Sequence, residues 1–116
     1  MHRTQVLAEH PERRVVHAVR TGGTWIANIH ASKQEPRARA LLDIEVASAA
    51  LAFWARDAPV VWGGDFNIQD PAPEGWSVAA SHGVDHLLLR GLSGYEQDVL
   101  DSGPLSDHRP LTCAVR

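Results

Sequence analysis

The chain has 116 residues, 44% of them hydrophobic, which suits one ordinary domain able to bury roughly 65% of its unfolded surface. No stretch approaches the roughly 18 uncharged residues a membrane helix needs, so a soluble protein is expected. The net charge of −3 conceals an asymmetry, because residues 1–40 carry seven Arg or Lys against three Glu and residues 41–116 carry four Arg against eleven Asp or Glu. An overall basic surface that would steer a long nucleic acid by its field alone is therefore absent.

The N-terminus, Met1 to His10, holds a basic residue but no apolar run of the kind a secretory signal has, and a cytoplasmic location is expected. Cys113 is the lone cysteine and cannot form an internal disulfide. Ten of the eleven basic residues are Arg, which suits bidentate phosphate contact, although a coding bias toward Arg gives the same count.

Val15 to Arg20 and Trp25 to His30 read as two strands joined by a tight turn at Thr21-Gly22-Gly23-Thr24, a hairpin. From Glu35 to about Arg56 the period becomes helical. Leu42, Val46, Ala49 and Phe53 recur at helical spacing, and Ile44, Ala47, Leu51 and Trp54 widen the apolar face. Ser32 with Glu35 makes a capping box, and Pro36 suits the first turn. Pro59 to Trp62 is short and apolar, a strand expected to be buried on both faces. Asp70 to Trp76 is a loop by composition. His86 to Leu89, Tyr95 to Leu100 and Leu111 to Val115 complete five or six short strands around one long helix. With a single helix to cover a sheet, one face lacks a layer.

Chemistry-bearing residues fall at the ends of four apolar segments, where loops of an α/β fold converge on a site. Asp65 and Asn67 follow the Gly63-Gly64 pair. In extended chain they point the same way, with Phe66 anchored opposite, and together suit a hard cation and a phosphoryl oxygen. The competing reading is an Asx turn. Asp107 can bind a divalent metal, while His108 beside it can act on water as a general base if a carboxylate orients its other nitrogen. Asp85 is the candidate for that carboxylate. A loop Asp-His dipeptide satisfying its own turn is the alternative. His30, near Asn28, can donate to a developing oxyanion, or is an ordinary edge histidine. His86 reads as structural, and His2, His10, His17 and His82 have no such company.

The order Asn28-Ile29-His30, Gly63-Gly64-Asp65-Phe66-Asn67, Val84-Asp85-His86 and Ser106-Asp107-His108-Arg109-Pro110 resembles the endonuclease/exonuclease/phosphatase superfamily, to which pancreatic-type deoxyribonucleases, abasic-site endonucleases, neutral sphingomyelinases and inositol-polyphosphate 5-phosphatases belong. The resemblance spans about Arg14 to Val115. It implies an α/β fold, the C-terminal half of a four-layer α/β sandwich, with a mixed and mainly antiparallel sheet and one long covering helix. It also implies roles: His30 close to the scissile phosphate, Asp65 and Asn67 orienting the nucleophilic water and contacting phosphate and metal, Asp85 paired with the catalytic His108, and Asp107 binding metal. The cofactor implied is Mg²⁺, with Mn²⁺ as an alternative. The reaction implied is attack of metal-assisted water on phosphorus.

The departure is at the front. Family members are longer, and their first half supplies an early Asn and a metal-binding Glu. Glu9 and Glu12 lie too close to the hairpin to match it. The whole of residues 1–116 is thus expected to be a partial domain whose other half is missing or comes from a complementing chain. The leading reading is a metal-dependent phosphoester hydrolase, nuclease-like, acting on a phosphoester substrate such as nucleic acid. The alternatives are a phosphatase or phospholipase C-type activity on a lipid or inositol headgroup, and an inactive fragment or non-catalytic interaction module.

Overall fold

The computed structural model describes residues 1–33 and 36–116. Its elements in chain order are β1 (His2–Ala8), β2 (Arg14–Thr21), β3 (Thr24–His30), α1 (Arg37–Ala55), β4 (Val60–Asp65), β5 (Ser77–His82), β6 (Asp85–Arg90), β7 (Gly94–Val99) and β8 (Leu111–Val115), with a short 3₁₀ turn at Gly103–Leu105. The first six strands form one sheet in the order β1-β2-β3-β4-β6-β5, and β7 and β8 pair as a separate ribbon. All pairings are antiparallel except β3 with β4. That parallel pair is joined through α1, as parallel neighbours require a crossover.

The expected hairpin forms, with Arg20 opposite Trp25 and Thr21 opposite Thr24. Two strands were not foreseen. His2–Ala8 pairs with β2 although its sequence, HRTQVLA, has few apolar residues. Ser77–His82, SVAASH, pairs with β6. Both lie at the sheet's edges, where one neighbour suffices and little of the strand is buried.

The helix also differs from expectation. It begins at Arg37 with Pro36 as its N-cap residue and no side-chain cap, and Glu35 lies outside the described residues. Ser32 is not a cap: its N–H donates to the buried Asp43 carboxylate at 2.7 Å. Buried residues of α1 are Ala40, Asp43, Ile44, Ala47, Leu51 and Ala55, whereas Leu42, Val46 and Phe53 face solvent. The two apolar stripes are two residues out of phase, which on a helix is about 200° of rotation. The stripe with more Ala packs inward because small side chains let the helix axis approach a sheet face already filled by Trp25 and Trp62.

On that face Val16, Ala18, Trp25, Ala27, Ile29, Val60, Trp62 and Leu88 form one core with the helix. Trp62 stacks edge-on to Phe66 at 5.0 Å and to Trp76 at 4.9 Å, and the Trp76 indole N–H donates to Ser48 on α1. The other face is covered only in part. Leu89 is buried under the β7–β8 ribbon, where the Gly94 backbone sits against it, while Val61 is half-buried and Val19 and Ile26 are exposed. Val60 to Trp62 is therefore buried on one face only, contrary to expectation. No described helix is long and apolar enough to cross a membrane.

Candidate active site

Register places the candidate residues. His30 is opposite Asp65 across the β3–β4 pair, and Asp65 is opposite Asp85 across β4–β6. Facing residues of neighbouring strands share a side of the sheet, so the three project from the side away from α1. Each adjoins a buried anchor: Ile29 beside His30, Phe66 beside Asp65, His86 beside Asp85. Gly64 makes the tight approach of β3 and β4 possible. Its φ is +137°, and a Cβ there would stand 2.0 Å from the Ile29 carbonyl oxygen.

The loop before β8 brings His108 over these strand ends. Its Nδ1 lies 2.6 Å from Asp85 Oδ2, its backbone N–H donates to Ser106 Oγ, and its Nε2 is 3.9 Å from Asp65 Oδ2. Donation from Nδ1 to Asp85 leaves Nε2 as the free acceptor in the neutral ring. The hydrogen bond and charge of Asp85 raise the His108 pKa above its ordinary 6.5 against a small opposing effect of burial, and Asp107 and Asp65 add to the rise. His30 Nε2 stands 3.6 Å from the same Asp65 oxygen. The cleft between them is about 390 Å³ and is lined by His30, Asp65, Asp85, His108 and Arg109, with Leu87 and Leu111 as apolar walls.

Asn67 is arranged differently from the sequence expectation. The extended chain ends at Asp65, and Asn67 has φ +56°. Its N–H donates to Asp65 Oδ1 at 2.8 Å, and its Nδ2 donates to Ala31 O at 2.7 Å. This is the Asx turn weighed above, and it clamps β4 to the end of β3 rather than lining the cleft. His86 is structural as expected, buried, with Nδ1 2.6 Å from Ser81 Oγ and Nε2 2.8 Å from Ile68 O. Arg109 is the one Arg or Lys among the described lining residues and was not singled out from sequence. Its position directly after Asp107-His108 was the available clue.

Asp65, Asp85 and His108 offer ligand atoms all within 4.8 Å of one another. Asp107, 95% exposed, brings Oδ1 to 3.7 Å from His108 Nε2. Asp85 Oδ2 and Asp65 Oδ1 are already engaged, while Asp65 Oδ2 and the exposed Asp107 carboxylate face the cleft side of His108 and can meet a cation. Two carboxylates with room for water and a substrate oxygen suit a hard divalent ion such as Mg²⁺, which keeps several waters. The donor set therefore fits such an ion, though with fewer charged ligands than a protein-made cage.

No protein-family model matches the chain, and no curated protein matches it in sequence. Solved structures do match. A conserved protein of unknown function from Enterococcus faecalis V583 superposes with a TM-score of 0.82 at 16% identity, covering 100% of this chain and 65% of that one. TDP2 of D. rerio, complexed with single-strand DNA product, gives 0.78 at 12% identity, covering 100% and 67%. An endonuclease/exonuclease/phosphatase from Bacteroides vulgatus gives 0.72 at 14% identity, covering 100% and 64%. The chain thus spans about 65% of the length of these neighbours, and over that span it shares their α/β fold, that of an endonuclease/exonuclease/phosphatase among them.

Proposed function

We propose that the chain carries the His-Asp wall of a divalent-metal-dependent phosphodiesterase site. The observation that carries this reading is the His108–Asp85 bond of 2.6 Å, which turns the other imidazole nitrogen toward Asp65 in an open cleft. In this reading Asp65 and Asp107 would hold the metal ion, Mg²⁺ or Mn²⁺, which would supply charge neutralisation to a phosphoryl group.

The chain's own residues do the rest. Asp65 orients a water against phosphorus. His108 Nε2 takes the water's proton as the new P–O bond forms and the bond to the leaving oxygen breaks, and Asp85 stabilises the imidazolium that results. His30 and Arg109 donate to the non-bridging oxygens as charge develops there. Asn67 acts from behind, fixing Asp65 through the backbone. The DNA product in the neighbouring TDP2 structure supports a nucleic-acid strand as the substrate class. The residues outside the matched span of the neighbours are where a further metal ligand belongs, supplied by more chain or by a complementing partner.

The test is hydrolysis of bis(4-nitrophenyl) phosphate by the purified protein with Mg²⁺ or Mn²⁺, and its loss with EDTA. His108→Ala is expected to lower turnover by on the order of 10²- to 10⁴-fold. An unchanged rate in that variant removes His108 as the base, and no metal-dependent hydrolysis by the unaltered protein removes the catalytic reading of this chain.

A further inference from the structure

A second cavity lies at the same end of the sheet. It is smaller and more enclosed, about 140 Å³, and is lined by Pro11, Glu12, Arg14, Ser32, Lys33 and Arg39. Among the described residues, three cations face it against one carboxylate. Arg14 is nine-tenths buried, with Nη2 2.8 Å from Glu12 Oε2. Arg39 spends one donor on the His10 carbonyl. Among the described residues each of these arginines makes one such contact, and a guanidinium carries five N–H donors in a rigid fork, so both have the capacity to donate to an anion in the cavity as well. Ser32 is held by Asp43 on α1, which fixes the start of the segment that carries Lys33.

Topology ties this cavity to the cleft. β2 begins at Arg14 and β3, antiparallel to it, ends at His30, so both belong to the edge where β4 delivers Asp65. Lys33 follows His30 by three residues, so their Cα atoms are within about 10 Å by chain reach. The cleft and the cavity are on the two sides of one strand end. Two guanidinium forks and an ammonium suit an anion with several oxygens, and phosphate is such an anion.

We propose that Arg14, Lys33 and Arg39 form a second phosphate subsite, which holds a phosphate group of the substrate adjacent to the one in the cleft. It rests on the phosphodiesterase reading and narrows the substrate to molecules with more than one phosphate. A nucleic-acid strand and a multiply phosphorylated headgroup share that chemistry.

The experiment is binding, measured in EDTA so that it is independent of turnover. The probes are a fluorescent single-stranded ten-nucleotide oligothymidylate and inositol hexakisphosphate, and the proteins are the unaltered chain, Lys33→Gln/Arg39→Gln and Arg39→Lys. With a strand as the source, the slope of log affinity against log salt falls by about 1.4 for the oligonucleotide in the double variant, roughly 0.7 per lost contact. Arg39→Lys, which keeps the charge, recovers the slope. With a headgroup as the source, the hexakisphosphate affinity falls and the oligonucleotide slope does not. A loss for both probes supports a site that accepts either. Should the double variant fail to fold, Lys33→Gln alone reads half the slope change. Unchanged slope and affinity for both probes overturn the proposal, and they do so whether or not the protein hydrolyses anything.

Discussion

On the α1 side of the main sheet, Ile29, Val60, Trp62 and Leu88 are closed off from water; on the opposite side of the same strands, Ile26 and Val19 are exposed and Val61 is half-buried. The candidate catalytic groups all project from the open side. The difference assigns two jobs to alternate residues of each strand. The closed side sets position, because a close-packed core fixes side chains in single rotamers, and each candidate site residue beside it inherits that position through one peptide unit. The open side leaves His30, Asp65 and Asp85 their polarity and access. His108 has no buried neighbour of this kind and is located instead by Asp85 and Ser106. The site thus joins three anchored groups to one that depends on a hydrogen bond.

Two isoleucines of β3 put the contrast in stability terms. Ile29 is 1% exposed and Ile26 46%. Ile29→Ala is expected to cost about 2–5 kcal/mol, as deletion of a buried aliphatic side chain does, and to displace His30 with it. Ile26→Ala is expected to change stability by only about 0.5 kcal/mol. Urea unfolding of the two variants measures both. Equal losses would mean that the open face is covered in solution.

A second comparison weakens the group that has no anchor. In the folded protein the His108 pKa is raised, chiefly by Asp85. The imidazole acts as a base only when neutral, so turnover is expected to rise with pH through a value above 6.5. Asp85→Asn removes the carboxylate. The rising limb then moves to lower pH, and the plateau rate falls because the ring is less firmly oriented. A pH–rate profile of the two proteins reads both effects, and an unmoved limb would separate His108 from the base. The same shift makes a stabilising contribution that is fully present below 6.5 and lost as pH rises through the folded value. That contribution is small, because the His108 side chain is about half exposed.

His30 and Asp65 were legible because an apolar run stops at each, and Asp85 and His108 because an apolar run begins at or shortly after them, which leaves few places for the polar group to go. The Asx turn at Asn67 was legible only as an alternative, since Asp and Asn two residues apart fit both an extended chain and a turn. β1 and β5 escaped notice because an edge strand draws its stability from main-chain pairing, which periodicity does not record. The cavity residues Arg14 and Arg39 are 25 positions apart and meet only because β2 and α1 pack side by side. Spacing along the chain contains no trace of that.

The helix register was the clearest failure of pattern, and it supports the smallest effect to be measured. A hydrophobic period states that an apolar stripe exists; with two stripes about 200° apart on α1, it does not state which one is covered. Volume decides, since the sheet already presents two tryptophans and accepts Ala40, Ala47 and Ala55 against them. Phe53, the largest residue of the outer stripe, is 75% exposed, whereas Leu51 is 1% exposed. Phe53→Ala is therefore expected to shift stability by no more than about 0.5 kcal/mol, where an inward phenylalanine would cost about 3–5 kcal/mol. Leu51→Ala is expected to cost about 2–5 kcal/mol. If thermal melts gave the opposite order, α1 would be turned by half its circumference, Asp43 would leave the Ser32 N–H, and the segment that leads from His30 to Lys33 would lose the contact that places it.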